Sequence, residues 1–171
     1  MKIIASVAVI SLTILAMVFL HLVKVSLAPF PWSAINILFV PLILLMSIRE
    51  ARITVWLAFF SHFFIELYAT TPFGVVLASS TLSVLLTFWL SQSFFIHRSW
   101  YTAFALSAVA IFLYRLFYSV ILQALSLTGK ISPLPISPLL PYYGWEILLT
   151  SVVTGSLSIF LVWPKNRIEK L

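Results

Sequence analysis

The chain has 171 residues, 63% of them hydrophobic and only 8% charged, with a formal net charge of +6 and no cysteine. A soluble domain carries roughly 25% charged residues, so a surface solvated wholly by water is excluded, and the missing cysteine excludes disulfides and thiolate metal sites. The basic residues stand at the ends of apolar runs, a pattern that orients a chain in a membrane rather than one that binds nucleic acid.

A spanning helix needs about 20 apolar residues. The first run covers residues 3–23, between Lys2 and Lys24. It could be read as a secretory leader, with the small residues Ser26 and Ala28 near a cleavage point, but it exceeds the ~7–15-residue apolar core of such leaders and is expected to be retained. A loop with Pro29, Pro31 and the interfacial Trp32 follows. The second run, 33–48, contains Pro41, which is expected to kink it. It ends in the polar clamp Arg49-Glu50-Ala51-Arg52. The third run, 53–69, carries His62 and Glu66.

Residues 70–74, Thr-Thr-Pro-Phe-Gly, form a turn: Pro72 cannot continue a helix, and Gly74 can take a positive φ without steric cost. The fourth run, 75–96, is rich in small hydroxyl residues. Ser80, Ser83 and Thr87 recur three and four apart and so share one helix face. Such a face lets helices approach closely in lipid, either within the chain or against a partner. The fifth run, 101–127, has Arg115 in its interior. A loop with Pro133, Pro135, Pro138 and Pro141 leads to the sixth run, 145–163, and a basic tail.

The expected fold is therefore all-α: one polytopic transmembrane domain over residues 1–171 with about six membrane-spanning helices. Six crossings put both termini on one side. That side carries Lys2, Arg49, Arg52, Arg98, Lys165, Arg167 and Lys170, against Lys24 and Lys130 on the other. The excess of basic residues predicts cytoplasmic termini.

An ionisable group inside an apolar helix marks a site to be explained. Glu66 and Arg115 lie thirteen to fourteen residues into runs of the same direction, about 20 Å up at 1.5 Å per residue. Matched depth predicts an intramembrane pair that removes two lone charges from lipid. His62 and Glu66, four apart, share a face, but His21 and His97 are badly placed as further ligands, so no metal is expected. Glu146 is read as a cap where the sixth helix begins. Ser61 and His62 are adjacent and point about 100° apart, so they make no nucleophile–base pair. No enzyme, metal or cofactor is expected.

The segment from Glu66 to Gly74 resembles the MreD family of bacterial rod-shape membrane proteins. The family pattern is a glycine, three apolar residues, an aspartate, then proline and glycine six and eight positions after the acid. Glu66, Pro72 and Gly74 stand at that spacing, with Glu in place of Asp and His62 at the glycine position. The stretch from Pro31-Trp32 to Arg49 and the ending Trp163-Pro164-Lys165 also look like the family. The resemblance implies a non-enzymatic subunit of the elongasome in the bacterial inner membrane. Its expected partners are the bilayer, an MreC-like anchor and peptidoglycan synthases of the RodA and penicillin-binding types, and it would act as a scaffold for lateral wall synthesis. The same family looks similar in fold to the substrate-binding S-components of energy-coupling-factor vitamin transporters. That gives the alternative, a small-molecule subunit using Glu66, Arg115, Tyr118, Gln123, Tyr142, Tyr143 and Glu146.

Overall fold

The computed structural model describes the backbone of residues 2–48, 53–94, 99–129, 132, 135 and 137–168. The 49–52 clamp, His97, Arg98, Lys130 and Lys170 lie outside the described residues, as do the side chains of Lys2, Lys165 and Arg167. Of the basic residues behind the predicted orientation, only the side chain of Lys24 is among those described.

Among the described residues the chain is all-α with no strand, and its helices are α1 (Lys2–Leu27), α2 (Phe39–Ile48), α3 (Ile53–Glu66), α4 (Val75–Phe94), α5 (Trp100–Leu127) and α6 (Leu140–Ile168). Single 3-10 turns at Trp32–Ala34 and Ser137–Leu139 precede α2 and α6. Among the described residues three helices, α4, α5 and α6, are long and apolar enough to cross a membrane. α5 begins one residue before its predicted start and ends where predicted, while α3 stops at Glu66 rather than residue 69.

Two elements differ more from expectation, and prolines explain part of each. The second run is not one continuous kinked helix. Its helix starts only at Phe39 and has 10 residues, about 15 Å at the usual rise, half of a bilayer core of ~30 Å. Pro41 sits in its first turn, where the missing N–H has no partner to lose. The sixth helix begins at Leu140, five residues before the predicted start. Pro141 is its second residue and so initiates the helix instead of ending a loop.

The short α2 is the centre of the packing. Phe39, Leu42, Ile43 and Met46 are buried against Ala58 of α3, Val84 of α4 and Leu106, Ala110, Ile111 and Tyr114 of α5. α1 lies outside this core and meets it through Ile14 and Val18 against Leu38. α5 packs along both α4 and α6.

The radial distribution of side chains is that of a lipid-solvated bundle. Phe160 is 74% exposed and Trp89 63%, with Phe19, Trp56 and Phe112 also turned outward. The interior instead holds Ser79, Ser80, Ser83, Thr87, Ser107, Thr150, Thr154 and Ser158, all fully buried. Small hydroxyl residues inside and aromatics outside are stable only where the surroundings are as apolar as the rings. Their hydroxyls are satisfied locally: Thr87 Oγ1 donates to Ser83 O at 2.8 Å and Thr154 Oγ1 to Thr150 O at 2.7 Å. Between helices, Ser83 Oγ donates to Ala110 O, and Ser107 and Thr154 hydroxyls meet at 3.2 Å. Gly155 lets α6 close on α5, because a Cβ there would stand 3.3 Å from Phe104 Cβ.

Candidate functional site

Glu66 ends α3 and is 3% exposed. Its Oε1 accepts the Gly74 N–H at 3.0 Å and its Oε2 the Leu77 N–H at 2.5 Å. These are among the first N–H groups of α4, which have no carbonyl partner within their own helix. The acid is thus a cap supplied from the preceding helix, set against the positive end of the α4 dipole. Gly74 has φ of 98°, a conformation that side-chain-bearing residues avoid. Pro72 O accepts the Val75 N–H at 3.3 Å and closes the turn. Glu66, Pro72 and Gly74 together join the end of α3 to the start of α4.

The predicted partnership of Glu66 with Arg115 is replaced by another. Arg115 Nε donates to Glu146 Oε2 at 2.5 Å, and Glu146, read from sequence as a surface cap, is buried beneath it. Depth along the helices was matched, but rotation about their axes decides the pairing. Arg115 faces α6, and Glu66 is drawn to the start of α4. Four tyrosines enclose the guanidinium, with Arg115 Cζ 5.0 Å from the ring centre of Tyr114, 5.7 Å from Tyr118, 5.7 Å from Tyr142 and 4.8 Å from Tyr143. The quadrupole of each ring favours the cation at such distances.

The second oxygen of Glu146 reaches the break before α2. Glu146 Oε1 accepts from Asn36 Nδ2 at 3.1 Å, and the Asn36 N–H donates to Thr150 Oγ1 at 2.9 Å. Lys24, expected in a loop, donates from Nζ to Ser33 O at 2.7 Å and to Ile35 O. Irregular backbone inside a lipid-solvated bundle must find partners within the protein. Here Lys24 and Thr150 supply them and Glu146 holds the Asn36 side chain, so residues 35–38 can leave the helix. Asn36 was passed over in the sequence, although an amide in the middle of an apolar run is itself a signal.

Three polar atoms around this network are buried without a hydrogen bond: His21 Nδ1, Asn36 Oδ1 and Tyr143 Oη. His62 is buried, with Nδ1 donating to Ala58 O at 2.9 Å and its ring against Phe39 and Tyr114. Among the described residues no three His, Asp or Glu side chains gather as metal ligands. The face of Ser80, Ser83 and Thr87 is turned inward and fully buried, Ser83 bonding to α5. It is a packing surface within the chain, not one left open to a partner. No family model, no curated protein and no solved structure matches the chain.

Proposed function

We propose that this chain is a non-enzymatic subunit of the bacterial wall-synthesis machinery that maintains rod shape, and that it acts through contact as an MreD-like scaffold. It would cross the inner membrane about six times with both termini cytoplasmic. The observation that carries the reading is the Glu66–Gly74 unit. The residues that make the chain look like MreD are the ones that hold α3 to α4: the acid caps, the proline closes the turn and the glycine supplies the positive φ. Arg115 and Glu146 are likewise spent on each other. Ionisable groups engaged in holding helices together support a role in contact rather than chemistry.

The test is co-purification from membranes with an MreC-like protein and with RodA-type or penicillin-binding synthases. Recovery of these components supports the scaffold. Their absence from a well-folded preparation refutes it.

One observation favours the alternative, a ligand-binding S-component. Arg115, Tyr118, Tyr142, Tyr143 and Glu146 do converge, and Asn36 Oδ1 and Tyr143 Oη are unpartnered beside them. A panel of vitamin-sized compounds in a thermal-shift assay separates the two, since tight binding raises the unfolding temperature by mass action. Neighbouring genes discriminate independently: MreB and MreC genes for the scaffold, transporter ATPases for the alternative.

A further inference from the structure

The strap between α1 and α2, residues 28–35, is built to move as one piece. Its backbone bonds close within it. Ser33 N–H donates to Pro29 O at 3.2 Å, Ala34 N–H to Pro31 O at 3.0 Å and Ile35 N–H to Trp32 O at 3.2 Å. Lys24 holds the strap to the end of α1 through the Ser33 and Ile35 carbonyls. Phe30 holds it to α6, edge-on to Trp145 with ring centres 6.2 Å apart. That contact is thin, since both rings are exposed. Just past the strap, the Asn36 N–H is fixed to α6 by Thr150.

Where the strap meets α1 and α6, three side-chain atoms are sealed from water and lack a hydrogen bond: His21 Nδ1, Asn36 Oδ1 and Tyr143 Oη. They belong to one junction. His21 stands one turn before Lys24, Tyr143 one turn before Glu146, and Glu146 is bonded to Asn36. Turning the Asn36 amide over gives no relief, because its nitrogen already faces a carboxylate, which only accepts. Elsewhere, Thr54 and Ser151 are also unpartnered, but they sit in helices, where Ser and Thr can rotate onto a carbonyl of the preceding turn. A phenol tip, an amide oxygen and an imidazole have no such recourse.

Each of the three atoms therefore carries the desolvation cost of a polar group while the strap is shut. A bridging water does not remove it, because the atoms present no surface to one. Lifting the strap removes the cost at all three.

We propose that residues 28–35 form a lid over this junction, with Asn36 as its hinge and Lys24 as its clasp. The shut form is the resting state. When the lid lifts from α6, water enters and bonds to His21, Asn36 and Tyr143. The inference rests on neither functional reading above, since its readout is the motion itself.

The chain has no cysteine, so one introduced thiol reports alone. Ala34→Cys places it in the lid, between the two carbonyls that Lys24 holds, and Val84→Cys places a control in the core of α4; both positions are buried. The folded full chain in detergent micelles is treated with a charged methanethiosulfonate reagent and followed by intact mass. Ala34→Cys should react steadily and Val84→Cys should not. Added to Ala34→Cys, Tyr143→Phe keeps the ring and deletes an unpartnered hydroxyl, so it should favour the shut form and slow labelling about fivefold. Lys24→Met should speed labelling by about tenfold through the loss of two hydrogen bonds from a charged group. Phe30→Ala, at an exposed ring, should speed it severalfold and keep the fold, and it decides the clasped state alone if Lys24→Met does not fold. Equal labelling of both thiols would mean global unfolding and overturns the lid. So does an inert Ala34→Cys, or labelling that Phe30→Ala leaves unchanged. Labelling that Tyr143→Phe accelerates or leaves unchanged would mean that the shut form carries no cost at that hydroxyl, and it overturns the inference as well.

Discussion

Neutralising either member of the Arg115–Glu146 pair is expected to destabilise the bundle unequally. Removing one partner of a buried pair typically costs about 3–5 kcal/mol, because the other is left charged in a poor solvent. Glu146→Gln strands Arg115, which is 17% exposed and held among four rings. Cation–π contacts of ~0.5–2 kcal/mol each offset part of the loss, so the lower end, about 3 kcal/mol, is expected. Arg115→Gln strands Glu146, whose side chain is 2% exposed with only the Asn36 amide still bonded, so the upper end, about 5 kcal/mol, is expected. The double substitution removes both charges and should recover most of one single loss. Reversible unfolding in mixed micelles gives all four free energies of the cycle. Additivity within about 0.5 kcal/mol would mean the pair does not interact. A parallel cycle of Glu66→Gln with Arg115→Gln should be additive within that margin, and strong coupling there would restore the pairing that depth alone predicts.

Ser83→Leu should prevent proper packing of α4 on α5, costing about 1–3 kcal/mol for the added volume alone, whereas Ser83→Ala should cost about 1 kcal/mol through its hydrogen bond. Both are read as folded fraction by size exclusion after heating. Gly74→Ala forces a side chain into a φ of 98° and should cost about 1–3 kcal/mol. Gly144→Ala, facing open space inside a helix, should be neutral or stabilising by up to ~1 kcal/mol, and the pair of melting curves checks the contrast. Asn36→Leu should loosen the α2 break from α6, seen as faster amide hydrogen exchange at residues 33–38 with little change in α4.

Length, hydropathy and turn chemistry sufficed for α5, for the start of α4 and for the Glu66–Gly74 turn, because each depends on residues near in sequence. The break at residues 35–38 was not legible from hydropathy. Run 33–48 is apolar enough to pass as a helix, and the groups that let it unwind, Glu146 and Thr150, come from the far end of the chain. Prolines misled for a related reason: Pro41 and Pro141 are equally breakers and starters until the flanking hydrogen bonds are known. Pairing of Arg115 failed on azimuth. Axial rise places two acids near its height, and only the packing of α5 against both α4 and α6 selects Glu146. The cap function of Glu66 could have been inferred, since the acid stands just before a glycine that opens the next helix.

The interrupted entry to α2 also governs the order in which the protein can be made. A ten-residue helix is too short to partition into a bilayer by itself, and the amide of Asn36 waits for partners 110 and 114 residues downstream. During synthesis the first third of the chain must therefore remain unfinished while α3, α4 and α5 are inserted. It closes only when α6 arrives, carrying Glu146 and Thr150 to the unwound segment. The last helix is the latch of the α2 entry, and losing its start leaves the Asn36 amide and the Arg115 guanidinium without their partners.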